Sequence, residues 1–275
     1  MASVLITKAD GEQEPFNPDK LQASLSHAGA PQEVRDRILK RIERDLRKGM
    51  TTEEIYREAF NMLRKEEVPA LAARYSVKRA VFALGPSGFP FEQFFAEVLR
   101  AHGWKTRTGV ALNGRCAPHE VDVLAEKDGR RVGVEAKFHN DPGGKTDIKD
   151  ALYVHARYQD LAKTHDDTSR VDEGWLVTNT RFTRNVIRYA QCSNLKLTAW
   201  DYPRGHGLSV MIESARVHPL TCLTTLSDGE KRRMMDKRIV LCSDIRTESV
   251  LQEHGVRPNR IPDVLREAKY LCTPE

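Results

Sequence analysis

Residues 119–138 read HEVDVLAEKDGRRVGVEAKF. Their centre, Lys127-Asp128-Gly129-Arg130, sets Asp-Gly between two alternating runs, the strongest short-range signal for a hairpin with a two-residue turn. With Asp128 and Gly129 in the turn, Lys127 faces Arg130, Ala125 faces Val132, Val123 faces Val134 and Val121 faces Ala136. That pairing predicts one wholly apolar side. On the other side Asp122 faces Glu135 and Glu120 faces Lys137. Glu135 and Lys137 share a face because strand side chains alternate.

Opposed positions of an antiparallel pair hold their Cβ atoms about 4.5–5.5 Å apart, where two like charges are destabilising. Asp122 and Glu135 therefore call for compensation. A divalent cation such as Mg2+ or Mn2+, which takes oxygen ligands at about 2.0–2.1 Å in the case of Mg2+, suits the gap. It can polarise a phosphoryl oxygen and lower the pKa of a bound water. Lys137, one step along, can stabilise developing negative charge or orient the nucleophile. The set points to phosphodiester hydrolysis; an amphipathic hairpin with a solvated charged face is the plainer alternative. Asp122, a turn, then Glu135-Ala136-Lys137 resembles the motif of the PD-(D/E)XK nuclease family. That resemblance implies Asp122, Glu135 and Lys137 as catalytic residues, with Asp122 and Glu135 as metal ligands.

Moving outward, Leu84-Gly85-Pro86-Ser87-Gly88-Phe89-Pro90 is a breaker cluster and the clearest domain boundary. Pro90 opens a helix with Phe91, Phe95, Val98 and Leu99 inward. Glu92 lies beside that stripe. The nuclease resemblance implies that it reaches the metal, whereas an acid at a helix start also complements the helix dipole. A strand from Trp104 to Val110 precedes the hairpin. After it come a polar loop, His139 to Lys145, and a helix from Thr146 with Ile148, Leu152, Ala156 and Leu161 on one side and Lys149 and Arg157 outward. A strand at 174–179, a helix at 184–192 and a strand at 195–200 complete the order helix, three strands, helix, strand, helix, strand. This order, with WLVTNTRFT and LKLTAWD, resembles the Mrr-like restriction endonuclease branch over residues 88–202.

The first 84 residues carry two short strands and four helices. VLITKADGEQEPFNPDKL, GMTTEEIY and LAARYSVKRA resemble the ATP-cone domain across nearly the whole region. The resemblance implies nucleotide contacts from Lys8, Glu14, Phe16, Asn17, Lys20 and Thr52, with ATP or dATP as a regulatory ligand. Lysines meet phosphates as point charges, and a helix N-terminus such as that at Thr52 favours an anion. No G-x-x-x-x-G-K-[ST] occurs, so a P-loop ATPase is not expected. The last helix is expected from Pro69 through Ala83.

The whole chain has 275 residues, 40% hydrophobic and 30% charged, with a net charge of +5. That fills packed cores and permits a polyanionic partner without proving one. The N-terminus lacks a signal-peptide core and no membrane span is evident, so a cytoplasmic protein is expected. Five scattered cysteines without a C-x-x-C read as reduced. In residues 203–275, Leu220 to Met235, Asp244 to His254 and Ile261 to Leu271 look helical, and the two helices around Gly255 are read as packing on their own domain rather than as a DNA-binding hairpin.

The expected fold is thus α/β. A small α-helical ATP-cone domain (1–84) is followed by a restriction-endonuclease-like αβββαβ core (88–202) and a helical C-terminal extension (203–275). The expected activity is a Mg2+-dependent DNA endonuclease under ATP or dATP control, with DNA and an adenine nucleotide as partners and no membrane. A homo-oligomer is also expected, since cone domains often assemble on nucleotide. A nucleotide-sensing DNA-binding regulator with an inactive nuclease fold is the rival.

Overall fold

A computed structural model describes residues 4–8, 11–65 and 69–272. The N-terminal region opens with β1 (Leu5–Thr7) against β2 (Gln13–Pro15); Asp10 of the expected turn lies outside the described residues. Helix α1 (Pro18–His27) begins where Asn17 Oδ1 accepts the amides of Asp19 and Lys20, as an N-cap does. Helices α2 (Gln32–Asp45) and α3 (Thr52–Lys65) follow. Thr51 Oγ1 accepts the Glu54 amide while Glu54 Oε2 accepts the Thr51 amide, a reciprocal cap that fixes where α3 starts. Leu25, Ile38, Ile42, Ala59 and Leu63 are wholly buried and form the core of this region. The helix expected from Pro69 to Ala83 is two, α4 (Pro69–Tyr75) and α5 (Val77–Phe82), parted by a turn at Ser76 (φ −87°, ψ 0°).

Next come α6 (Phe89–Ala101), β3 (Lys105–Asn113), β4 (Pro118–Lys127), β5 (Arg130–Lys137), β6 (Lys145–Thr146), α7 (Ile148–Ala162), β7 (Glu173–Thr178), β8 (Arg181–Phe182), α8 (Arg184–Ser193) and β9 (Lys196–Thr198). Five strands form one sheet in the order β3-β4-β5-β7-β9, antiparallel across β3-β4-β5 and parallel across β5-β7-β9. Parallel neighbours need a crossover, which α7 and α8 supply. Two apolar cores result. Phe91, Phe94, Phe95, Val98 and Leu99 of α6 pack with Val123, Ala125, Val132, Val134 and Ala136. Val154, Tyr158 and Leu161 of α7 pack with Val121, Leu124 and Leu176 on the other face.

The C-terminal part contains α9 (Leu208–Ala215), α10 (Asp228–Met235), α11 (Glu248–Glu253) and α12 (Ile261–Cys272); α9 was not expected. Leu251, Val256, Ile261, Val264, Ala268 and Leu271 join the α6 core, as do Ala80, Val81 and Leu84. The helices around Gly255 therefore pack inward, and Arg260 is tied to Glu230 at 2.8 Å. Glu267, 5% exposed, accepts the amides and hydroxyls of Thr224 and Thr225 at 2.6–2.9 Å. Cys116, Cys192 and Cys222 are free, but Cys242 is disulfide-bonded, which corrects the expectation of five reduced thiols.

Candidate active site

The hairpin turn forms as its sequence requires. Asp128 (φ 51°) and Gly129 (φ 76°) both take positive φ, the combination that matches the twist of a two-residue hairpin. The register runs from Lys127↔Arg130 to Val123↔Val134. One residue further, the ladder ends, and Asp122 Oδ2 accepts the backbone amide of Ala136 at 2.8 Å. The aspartate side chain thus binds the backbone of β5 just beyond the last ladder pair.

Here the strands turn. In the β3–β4 register, Thr108↔Val123 and Val110↔Val121 flank Gly109 and Asp122. Gly109 takes φ 60°, which glycine adopts without strain. Val123 and Ala125 face the α6 core, while Val121 belongs to the α7 core. The expectation that Val121 shares an apolar side with Val123 and Ala125 is corrected: simple alternation fails where the strand bends. Nor does Glu120 meet Lys137. Its carbonyl accepts from Arg157 Nη1 at 3.0 Å, and Lys137 Nζ pairs with Asp150 Oδ1 at 2.9 Å.

At the turning point Asp122 meets the charges of Arg157 from α7 and of Glu120 on its own strand. Burial raises its pKa, opposed by the Ala136 amide and the Arg157 guanidinium. Glu135 is pushed up to about 7, first by burial and then by the charge of Asp122. Glu92 reaches about 7 as well, by burial and by the charges of Asp122, Glu135 and Glu120. Three carboxylates thus share one partly buried negative field, the situation found at functional sites.

One cation from α7 partly answers it. Arg157, read as outward from the sequence, turns instead to Glu135 in an ion pair, with its side chain 11% exposed. It also donates to the Tyr153 hydroxyl at 2.9 Å and lies over that ring, 4.8 Å from the centroid. Asp150 and Arg157 stand seven residues apart, on the same side of a helix. They meet Lys137 and Glu135, two apart on one face of β5. That matching of periods was a signal available in the sequence.

The chemistry of the donors fits a hard divalent cation. Asp122 and Glu135 offer carboxylate oxygens, and Mg2+ is commonly held by one or two carboxylates with water and substrate phosphate completing its shell. Among the described residues no group of three His, Cys, Asp or Glu is close enough to hold an ion. Glu92 therefore does not complete a three-acid set in this arrangement. The following loop is pinned rather than open: Asn179 accepts the His139 amide and donates to its carbonyl, both at 2.8 Å.

In the N-terminal region the residues expected to bind nucleotide lie on and beside the hairpin. Lys8 Nζ pairs with Glu12 at 2.5 Å and Lys20 Nζ with Glu14 Oε1 at 3.0 Å. Asn17 caps α1, Phe16 is half-buried against the core, and Thr52 begins α3. A bridge between Thr7 and Thr51 brings the Lys8 strand beside the start of α3. None of the six lines the cleft of about 670 Å³ formed with Arg41, Arg47 and Arg57 in the same region.

Comparison with known proteins identifies the parts. An ATP cone domain matches residues 4–81, a restriction endonuclease domain of the Mrr catalytic type matches 85–204, and a domain described as AF1548-like, C-terminal, matches 218–272. An uncharacterized protein of Archaeoglobus fulgidus is 37% identical over 176 residues, 63% of this chain and 97% of the relative. The crystal structure of AF1548, a protein of unknown function, is 34% identical, with a TM-score of 0.57 over 67% of this chain and 98% of that one. A repair endonuclease from Pyrococcus abyssi is 20% identical over 41% of this chain and 46% of that one, with a TM-score of 0.32.

Proposed function

This chain belongs to the AF1548-like family, with an ATP cone ahead of a restriction endonuclease domain, and on that premise we propose that it is a Mg2+-dependent DNA endonuclease controlled by ATP or dATP. The observation that carries this reading is the shared field of Asp122 and Glu135. Burial and mutual repulsion hold Glu135 up at about 7, so a cation between the two would relieve both. That cation, Mg2+ or Mn2+, would supply Lewis acidity toward a phosphoryl oxygen and acidify a water.

The chain's own residues do the rest. Asp122 is held in place by the Ala136 amide. Lys137 leaves Asp150 to meet the negative charge that develops on the phosphoryl group. Glu92 acts through a water or through its charge, and its burial keeps it able to carry a proton near neutral pH. Lys8, Glu14, Phe16, Asn17, Lys20 and Thr52 receive the nucleotide. Residues 1–84 would thus regulate, 88–202 cleave, and 203–275 brace the two. Among the described residues no helix is long and apolar enough to cross a membrane. We place the enzyme in the cytoplasm, with self-association as the route by which nucleotide acts.

One observation favours a second reading. Glu135 and Lys137 are both engaged by α7, through Arg157 and Asp150, as they would be in a DNA-binding regulator whose site is dormant. Supercoiled plasmid, incubated with Mg2+ and with or without ATP and dATP, separates the two. Nicking that disappears with EDTA and with Asp122→Ala is expected. Plasmid that is shifted in a gel yet intact under every metal and nucleotide condition would establish the regulator instead.

A further inference from the structure

Tyr158 of α7 is 4% exposed, yet its hydroxyl has no hydrogen-bond partner among the described residues. The Nε of Arg157 beside it is unpartnered as well. Buried polar atoms are nearly always satisfied, so each exception asks for a role or an unrecorded ligand. The position of the ring is dictated by two glycines. Gly133 of β5 and Gly174 of β7 are cross-strand partners. A Cβ on Gly133 would stand 2.1 Å from Tyr158 Cε1, and one on Gly174 2.5 Å from Cδ2. Only bare backbone lets the ring lie this close to the sheet beside Glu135.

Burial, then the charges of Glu135 and Asp122, raise the Tyr158 phenol well above its ordinary value, while the neighbouring Arg157 guanidinium opposes them by its charge and by leaning a donor toward the phenolic oxygen; a guanidinium accepts nothing, so the O–H proton itself has no acceptor among the described residues. The hydroxyl therefore lies in the field of both carboxylates and keeps its proton. In the arrangement described, Glu135 is held by Arg157. A guanidinium and a divalent cation on the same carboxylate repel one another, so the ion pair weakens as the cation arrives. The outer oxygen of Glu135 then needs a donor that adds no positive charge.

We propose that Tyr158 is a positioning residue of the carboxylate site, its O–H being the neutral donor that holds Glu135 once a divalent cation replaces the Arg157 contact. The inference rests on the reading of Asp122 and Glu135 as metal ligands. Partners of this kind orient the ligands and typically change metal affinity by about 10–100-fold when removed.

The full chain, free of DNA, is titrated with Mn2+ alone in a calorimeter as wild type, Tyr158→Phe and Asp122→Asn, and each is melted in EDTA. Tyr158→Phe is expected to bind Mn2+ at least about tenfold more weakly. It is expected to melt in EDTA at or above the wild-type temperature, because an unsatisfied buried hydroxyl has been removed. Mn2+ affinity that is lost in Asp122→Asn and unchanged in Tyr158→Phe overturns this inference alone. A lower melting temperature in EDTA with unchanged affinity gives the hydroxyl a merely structural role and overturns it too. Wild type that binds no Mn2+ overturns the metal-site reading and this inference with it.

Discussion

Two groups of charged residues stand out in this chain, and they are held very differently. Around β4 and β5 the charges are forced together. Burial and the charge of Asp122 push Glu135 and Glu92 upward, and Glu135 adds to the push on Glu92, and helix α7 sets Arg157 and Asp150 against β5. In the ATP cone the corresponding residues are nearer to water. The Lys20 side chain is 65% exposed and pairs with Glu14, whose side chain is 29% exposed, an arrangement worth about 0–1 kcal/mol. Burial turns a pattern of acids into an electrostatic demand that the fold must answer. Exposure lets water answer it, and the residues stay free to exchange partners for a ligand.

The largest effect that sharpens this contrast is expected at Asp122. Asp122→Asn keeps an oxygen for the Ala136 amide, so the melting temperature should change little. Cleavage of plasmid should fall by at least about a hundredfold, since even indirect metal partners matter by 10–100-fold. Retained cleavage would break the contrast at its strong end.

A smaller effect is expected at the join between the regions. A Cβ on Gly85 would stand 2.6 Å from Asn140 Oδ1 and 2.7 Å from Phe138 Cε1, directly after the Glu135-Ala136-Lys137 strand. Gly85→Ala should lower unfolding stability in urea by about 1–3 kcal/mol, as overpacking does. Unchanged stability would show that the linker does not press on that strand.

At the exposed end, Lys20→Ala should weaken ATP or dATP binding by about tenfold, the worth of one charge-assisted hydrogen bond. Its melting temperature should barely move, because the Glu14 pair is solvated. Equal nucleotide affinity, measured by calorimetry, would remove Lys20 from the nucleotide site.

The gentlest effect is on pH dependence without metal. Glu135 and Glu92 bind a proton more tightly folded, at about 7, than at the ordinary value of 4.5. Between those values the folded state holds more protons than the unfolded one, so stability falls as pH rises through that window. Glu135→Gln should flatten the fall in urea titrations across pH 5–7; an unaltered slope would show that Glu135 is not the source.

Much of the fold could be read from local chemistry. Asp128-Gly129 dictated the turn and the register down to Val123↔Val134, and apolar spacing located α6 and α8; on α7 it marked the helix but the wrong face, since Leu152 and Ala156 are exposed while Ala151, Val154 and Tyr158 are buried with Leu161. The sequence does not announce where a strand bends. Gly109, which looked like one more residue of a strand, is the hinge that sends Val121 and Val123 to opposite cores. Arg157 looked solvated because the inward face of α7 was set on Leu152 and Ala156, whereas the buried side runs through Ala151, Val154, Tyr158 and Leu161, next to Arg157. Tyr158 was missed although Gly133 and Gly174, glycines within strands, mark a close approach. The α9 segment, Leu208–Ala215, is short and apolar, and its pairing with α6 is a tertiary fact.

The most direct test of the account is an anomalous-difference map at the manganese edge from crystals soaked in Mn2+. The account predicts a peak between the Asp122 and Glu135 carboxylates, with Arg157 moved off Glu135. A peak elsewhere, or no peak at this pair in crystals of protein that cleaves DNA in Mn2+, would contradict it.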